Sequence, residues 1–387
     1  MKIVVASEVY PPRSGGAGWS SRALAVGLRE AGHDVRVIST SPGPLEQDGI
    51  PVDRITARGR KRFVVPRTFR ERVALVECDV VHAQHSLSAL GCLTRARGPR
   101  TAVTIRDHWP GCFWSTRISR NAVCPGCGVL PMTRCVAGRV PAPAPLSWGA
   151  IPYMRWDLAA KRRALHRAGA NLAVSEALAI DLRAAGLPRV ETIPNIVDAE
   201  EARRVAAAPP SFEIPERFLL FVGKLEVNKG ALLLAPAVAA ARTGLPLVVL
   251  GEGSESHALK FEAARSEVPL LIRGWASRED VLRTMTRATA LVFPSLWPEP
   301  LSRVLLEAMA LGTPTAAIAT GGTREILCDD DSGLVVDDPA EFGDAIARIA
   351  GDAALGKRLS EGARERAKAF APEVLIPRYE AVYRRLI

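Results

Sequence analysis

Ala290-Leu291-Val292-Phe293-Pro294-Ser295-Leu296-Trp297-Pro298-Glu299-Pro300-Leu301-Ser302-Arg303-Val304-Leu305-Leu306-Glu307-Ala308-Met309 joins a short apolar run, a proline-marked turn and an apolar helical pattern. The first six residues read as a buried strand. From Pro300 onward the pattern predicts a helix, with Pro300 at its first-turn position. A helix that begins where a strand ends offers unpaired backbone N–H groups and a partial positive charge, suited to a phosphate or a sugar oxygen. Glu299 lies at that mouth, and Glu307 follows eight residues on, roughly 12 Å along a helix at 1.5 Å per residue. One carboxylate could then accept hydrogen bonds from sugar hydroxyls while the other accepts them from a ribose. The plainer reading makes Glu307 an exposed partner of Arg303 at i, i+4. Its apolar neighbours Val304, Leu305, Leu306, Ala308 and Met309 leave little polar face, which favours the first reading.

Outward from this stretch, short β-branched runs alternate with helical patterns to both ends of the chain, the mark of βαβ units and parallel sheets. Six candidate strands run from Lys2–Ser7 to Arg189–Pro194, and six more from Phe218–Lys224 to Gly333–Val336. At 387 residues and 41.5 kDa the chain exceeds what one core usually serves. Two doubly wound α/β domains are expected, residues 1–197 and 217–371, joined by a linker rich in Ala, Pro and charge at 198–216. Residues 372–387 form a closing helix that could pack on either domain. With 48% hydrophobic and 24% charged residues the chain is not a disordered one. Its longest apolar run, Ala231–Ala241, is broken by Pro236 and is too short to span a bilayer. No signal peptide opens it, so a cytoplasmic location is expected.

Two more elements bear on chemistry. In Phe221-Val222-Gly223-Lys224-Leu225-Glu226-Val227-Asn228-Lys229-Gly230, Lys224 ends a strand and Lys229 begins a helix, so both ammonium groups can converge on one anion. Gly15 and Gly16, after the first strand, let backbone approach a ligand closely. A dinucleotide-binding oxidoreductase is a poor match to that loop. Gly16-x-Gly18-x-x-Ser21 lacks its third glycine, and the second strand ends Val37-Ile38-Ser39-Thr40 with no acid for a ribose.

The stretch from Glu299 to Glu307 resembles the E-x7-E signature of retaining glycosyltransferases of family 4. The resemblance implies the GT-B fold, two Rossmann-like domains facing a central cleft. It implies that Glu299 contacts the transferred sugar, that Pro300, Leu301 and Ser302 line the donor site, and that Glu307 holds the nucleotide ribose. Lys224 and Lys229 look like the family's two cations for the donor diphosphate, and Gly15 and Gly16 like its first-domain glycine loop, a donor-binding turn whose backbone approaches the donor phosphate or the reacting centre. Ile193–Asp198, Val174–Leu178, Gly251–Gly253 and Thr320–Glu325 also match in the family's order. Many relatives carry Thr-x-His-Asp after the fourth strand. Here Thr104-Ile105-Arg106-Asp107-His108 puts Arg106 at the usual His position, so Arg106 and His108 are both candidates on the acceptor side. Asp329-Asp330-Asp331 reads as a solvated turn, and no metal is expected for catalysis.

The implied activity is retaining transfer of a sugar from a nucleotide sugar donor to a glycan or lipid-linked acceptor. A nucleotide-sugar epimerase of the same fold is the first alternative, and a zinc-bearing nucleic-acid-binding protein the second. Residues 1–200 hold 28 Lys and Arg against 16 Asp and Glu, while residues 201–387 hold 23 against 25. The basic clusters Arg54–Arg72 and Arg155–Arg167, with Trp148, Tyr153 and Trp156 beside the second, suit an anionic membrane surface and a peripheral location on its inner face. Only Phe63 and Phe69 interleave the first cluster, so no nucleic-acid partner is expected. Residues 110–156 form an insertion without clear period. It carries Cys112, Cys124, Cys127 and Cys135, a C-x11-C-x2-C-x7-C spacing that reads as structural zinc, with redox thiols or an iron–sulfur cluster as the other readings.

Overall fold

The computed structural model describes residues 1–387 except 13, 57–60, 120, 121, 125 and 140–147. Part of the Arg54–Arg72 cluster and part of the cysteine-bearing insertion thus lie outside the described residues. The chain divides into two compact units, Met1–Ile196 with Pro372–Ile387, and Val197–Ala371.

In the first unit β1 (Lys2–Ser7), β2 (Asp34–Ser39), β3 (Glu46–Gln47), β4 (Ile50–Arg54), β5 (Val80–Ala83) and β6 (Thr101–Ile105) precede a small hairpin, β7 (Ile118–Ser119) and β8 (Ala122–Val123). β9 (Ala170–Ala173) and β10 (Val190–Thr192) follow. The sheet order is β10-β9-β6-β5-β1-β2-β4-β3, and every pair is parallel except β3 with β4. The chain winds outward from β1 in one direction, then from β5 in the other. β1, β5, β6 and β9 are buried almost throughout, as expected of parallel strands covered on both faces.

The last helix, Pro372–Arg384, belongs to this first unit. It lies against helix Gly16–Glu30 where Gly27 makes room: a Cβ there would stand 2.7 Å from Ile376 Cδ1. His33 Nε2 meets Glu380 at 2.8 Å. Tyr379 and Tyr383, spaced i, i+4, are buried, and the Tyr383 hydroxyl lies 2.6 Å from Nδ1 of His82 on β5. His82 Nε2 reaches Thr104 on β6 at 2.7 Å. This histidine is therefore a core residue that ties the final helix to the sheet.

Two expectations need correction. Residues 198–216 are not simply a linker: they open with helix Ala199–Ala206, capped by Asp198, whose Oδ1 accepts the Glu201 N–H at 2.9 Å. The composition that reads as a linker is a short amphipathic helix. It buries Ala202 and Ala206 against helices Arg278–Met285 and Arg303–Leu311 of the second unit. The insertion 110–156 is not structureless either. It holds the β7–β8 hairpin, helix Val129–Ala137 and the start of helix Ala150–Leu165, and the two helices share a small core of Met132, Val136, Ile151, Met154 and Leu158.

The second unit is a six-stranded parallel sheet. Its strands are β11 (Leu219–Val222), β12 (Leu247–Leu250), β13 (Leu270–Gly274), β14 (Ala290–Phe293), β15 (Thr315–Ile318) and β16 (Leu334–Val336), ordered β13-β12-β11-β14-β15-β16. Winding reverses between β11 and β14. Its core includes Leu219, Phe221, Leu234, Val238, Leu247, Val249, Val292 and Ile346, with helix Ala231–Ala241 supplying small apolar side chains that let it sit close to the sheet.

Burial, reinforced by the nearby Arg106 charge, depresses the pKa of His82 to about 3, and that of His85 likewise. A folded pKa below the unfolded value of about 6.5 means that stability is complete above pH 6.5 and lost as pH falls toward 3. Below pH 6 each histidine should remove about 1.4 kcal/mol per pH unit. Urea unfolding between pH 7 and 4.5 should show this slope in the wild type and a shallower one in His82→Gln. Equal slopes would show that His82 does not titrate on unfolding.

Candidate active site

The β11/β14 reversal is the switch point of this sheet, and ligands of such sheets usually bind outside the carboxyl ends of the strands there. The loop Gly223–Gly230 leaves β11 and the loop Pro294–Ser302 leaves β14. Backbone sews them together: the Asn228 carbonyl accepts the Leu296 N–H at 3.1 Å and the Trp297 N–H at 2.9 Å. Ser295 Oγ donates to the same carbonyl at 3.4 Å. Gly230, at φ +72°, passes so near Pro294 that a Cβ would lie 1.9 Å from its carbonyl oxygen, so no side chain fits.

Glu299 sits in this junction, 4% exposed. Its Oε1 accepts from Ser295 Oγ at 2.9 Å and from the Lys229 ammonium, which also lies 4.3 Å from the Trp297 ring centroid. The Glu299 carbonyl accepts the Gly322 N–H at 2.7 Å. A Cβ on Gly321 would stand 2.2 Å from that carbonyl oxygen. Loops after β11, β14 and β15 thus converge on one residue, the last of them on its backbone carbonyl. Lys224 does not join them. Its side chain is 74% exposed, 3.8 Å from Glu226. The two lysines therefore stand apart, Lys229 held by Glu299 and aromatic face, Lys224 in solvent.

The helix starts later than its sequence suggests. Ser302 is the N-cap, its Oγ accepting the Leu305 N–H at 3.4 Å, and the helix runs Arg303–Leu311. Pro300 and Leu301 are buried but precede the cap, so the 12 Å helical spacing between Glu299 and Glu307 does not apply. Glu307 is on the helix and buried, not on an exposed face. Its Oε1 takes Arg303 Nε at 3.0 Å and Arg278 Nε at 2.9 Å, and Arg278 Nη2 reaches Glu201 at 3.5 Å. Burial by itself raises a carboxyl pKa. Here Arg303 and then Arg278 outweigh it, and Glu307 is held below its ordinary value. Ser295, Trp297 and Arg278 have no motif of their own in the sequence; the loop junction singles out the first two and the ion pair with Glu307 the third.

In the first unit the winding reverses between β1 and β5. Gly15 is the N-cap of helix Gly16–Glu30, and a Cβ there would meet nothing within 4 Å. Space beside it is open to a ligand, whereas a Cβ on Gly18 would strike Ser14 Oγ at 2.4 Å. Glu8, which follows β1 directly, is a further carboxylate here. It accepts the Leu87 and Ser88 N–H groups at 2.6 and 3.1 Å, and burial pushes its carboxyl pKa up. Arg106 follows β6; its Nε donates to Asn195 Oδ1 at 3.0 Å and its Nη1 to the Gln84 carbonyl at 3.2 Å. His108 is buried and turned toward Asp181, 3.6 Å away, which also takes Arg117. Arg106 and His108 thus answer to different partners. Between them, burial raises Asp107 to about 6.

Cys112 follows β6 by a tight turn, Cys124 ends the β7–β8 hairpin, Cys127 precedes helix Val129–Ala137 and Cys135 lies within it. All four are free thiols. Among the described residues no group of three or more His, Cys, Asp or Glu side chains is gathered to hold a metal ion.

Two family models divide the chain. Residues 14–201 match Glycosyltransferase Family 4 and residues 206–366 match Glycosyl transferases group 1. The chain is 27% identical to the glycogen synthase of Mycobacterium tuberculosis (strain ATCC 25618 / H37Rv), over 95% of this chain and 90% of the relative. Its fold is similar to sucrose-phosphate synthase from Thermosynechococcus elongatus, with TM-score 0.72 and 21% identity over 100% of this chain and 99% of the other. It is likewise similar to Anabaena HepE in complex with UDP-glucose, with TM-score 0.71 and 17% identity over 98% and 99% of the two chains.

The Glu307 cluster gives a stability test. A double-mutant cycle of Arg278→Met and Glu307→Gln, read by urea unfolding, should show a coupling of about 1–3 kcal/mol, since the two groups share one buried ion pair. Strictly additive losses would mean that Arg278 and Glu307 do not stabilise each other.

Proposed function

The chain belongs to the glycosyltransferases of family 4 and group 1, GT-B proteins that use nucleotide sugars, and from that premise we propose a retaining transfer to a glycan or lipid-linked acceptor. The observation that carries this reading is the buried Lys229–Glu299 pair at the β11/β14 reversal. It sets a cation for a leaving diphosphate beside a carboxylate for an electron-poor sugar carbon.

In this reading the donor diphosphate settles over Gly223–Gly230. Lys229 is already in place, and the exposed Lys224 swings in as the second cation. As the bond from the anomeric carbon to the phosphate oxygen breaks, positive charge grows on the ring. Glu299 stabilises it electrostatically, fixed by Ser295 and by the Gly321–Gly322 backbone so that no reorganisation is needed. The acceptor oxygen bonds to the anomeric carbon on the face that the phosphate leaves, and the acceptor's proton passes to the departing phosphate oxygen. Retention follows from that single-faced exchange. Glu307, already between two arginines, fixes the helix that the nucleotide ribose meets. Arg106 and His108 belong to the acceptor side, on the first unit.

A surface on the first unit supports a lipid-linked acceptor. Helix Ala150–Leu165 buries Ile151, Met154 and Leu158, and its outer side exposes Tyr153, Arg155, Trp156 and Arg163, with Trp148 before it and Arg167 after. Aromatic rings among arginines suit the headgroup region of an anionic membrane. The other basic cluster contributes less. Within it Arg54 donates to the Pro11, Ser41 and Pro44 carbonyls, Arg62 pairs with Asp157, Arg67 with Glu71 and Arg72 with Asp53. No described helix is long and apolar enough to cross a membrane, so the contact is one of surface.

Three measurements test these claims. Glu299→Gln should lower turnover about 10²–10³-fold with an unchanged thermal midpoint, and wild-type product should keep the donor's anomeric configuration by proton NMR. Near-normal turnover in the folded variant, or an inverted product, would contradict the proposed chemistry. An altered sugar with no acceptor attached would point to the epimerase alternative. In vesicle flotation, binding should need anionic lipid, weaken with salt, and drop when Arg155, Arg163 and Arg167 become Gln. Equal recovery with neutral vesicles would leave a soluble acceptor.

A further inference from the structure

The donor chemistry leaves one cavity of the first unit unused. It encloses about 220 Å³ between the turn that follows β6, helix Ala150–Leu165 and helix Glu176–Ala184, room for roughly seven waters at about 30 Å³ each. Arg117, Arg162, His108 and Asp181 give it its charge, and the buried Leu178 and Leu182 give it an apolar wall. The polar groups are held in place. Arg162 Nε donates to the Pro110 carbonyl at 2.9 Å, which pins the guanidinium at the wall. Arg117 pairs with Asp181, whose Oδ2 also lies 3.6 Å from His108 Nδ1. The turn itself hangs on the His108 carbonyl, which accepts the Gly111 N–H at 2.9 Å. Arg117 stands at φ +51° and Ser115 at φ +63°, left-handed backbone that is costly for residues other than glycine and that collects at ligand sites. Space is open beside the glycines of the rim. A Cβ on Gly126 would meet nothing within 4 Å, and one on Gly111 only the His108 carbonyl oxygen at 3.9 Å.

A pair needed only for packing would be complete with Arg117 and Asp181. Among the described residues that line the cavity Asp181 is the one acid, so Arg162 adds a second guanidinium whose charge nothing there offsets. Guanidinium groups grip phosphate oxygens in forked pairs. A carboxylate beside them repels a bare dianion but accepts a hydrogen bond from a hydroxyl. We propose that this cavity binds a phosphate ester that carries a hydroxyl near its phosphate, the phosphate on Arg117 and Arg162 and the hydroxyl on Asp181. His108, on the acceptor side, borders the same space. The inference thus deepens the acceptor half of the proposed function and rests on it: the acceptor is a phosphorylated one. Two sources share that chemistry, a soluble polyol or sugar phosphate and the glycerol phosphate headgroup of an anionic lipid. Helix Ala150–Leu165 serves both. Arg162 lines the cavity while Arg163, the next residue, is exposed like Tyr153 and Trp156.

Calorimetric titration of the full chain with glycerol 3-phosphate and with inorganic phosphate reads the site. The ester should bind with a dissociation constant on the order of 1 mM or tighter, and more tightly than inorganic phosphate. Arg117→Gln/Arg162→Gln should weaken it about 10-fold or more, and Asp181→Asn should erase the preference for the ester. Arg265→Gln, in the second unit where Arg265 meets Glu262, should bind as the wild type does. Vesicles of phosphatidylglycerol then separate the two sources: displacement of the soluble ester assigns the cavity to a lipid headgroup, and its retention assigns the cavity to a soluble phosphate. No saturable binding of the ester, binding unchanged in the arginine double variant, or equal affinity for ester and inorganic phosphate would overturn the proposal. Should the variants fail to fold, amide deuterium exchange of the wild type decides it. Glycerol 3-phosphate should slow exchange in 108–117 and 178–185, and protection confined to other segments would overturn the proposal. With no donor present, failure here leaves the Glu299 chemistry standing, so the two readings fall separately.

Discussion

The second unit depends on one carbonyl group. Where winding reverses between β11 and β14, two neighbouring strands send their chains away in opposite directions, and nothing in the sheet itself would hold the departing loops together. The Asn228 carbonyl does so, accepting the N–H groups of Leu296 and Trp297. It draws the loop bearing Lys229 against the loop bearing Glu299, and the ion pair and the aromatic face over the ammonium follow from that approach. Gly230 and Gly321 are the price of it, positions where the backbones meet too closely for a Cβ.

The two buried carboxylates of this unit are held by different means, and the difference matters for chemistry. Glu307 is enclosed by Arg278 and Arg303, with Glu201 beyond, an arrangement in which removing one member strands another. It is built to stay put. Glu299 faces one lysine and one hydroxyl. A lysine on a flexible stem can exchange a carboxylate for a phosphate more readily than a forked guanidinium can. Under the proposed function, Lys229 is therefore the cation able to pass from Glu299 to a donor phosphate.

Much of this was legible in the sequence, unevenly. Each of the twelve candidate strands overlaps a strand of the structure, because β-branched runs buried on both faces leave an unmistakable pattern. β3 and β4 were not legible: Pro51, Asp53 and Arg54 break the apolar run in β4, and β3, the edge strand beside it, is two polar residues long. Ala199–Ala206 was hidden because alanine among charges reads alike in a linker and in a small amphipathic helix. Pro300 suggested a helix start three residues too soon, since the helix begins at Arg303, capped by the Ser302 hydroxyl. Glu299, Lys229 and Glu307 were recognisable by spacing. Their company was not: Ser295, Trp297 and Arg278 reach them through the fold, and in the first unit Glu8 meets its partner Leu87 across 79 residues of sequence.

Hydrogen–deuterium exchange with and without a nucleoside diphosphate tests the central claim most directly, because it locates the donor without needing the acceptor. With saturating uridine or adenosine diphosphate, exchange should slow in 223–230 and 295–303 and remain unchanged along β12 and β13. Binding that protects neither loop, or that protects only the first unit, would contradict a donor site at the β11/β14 reversal.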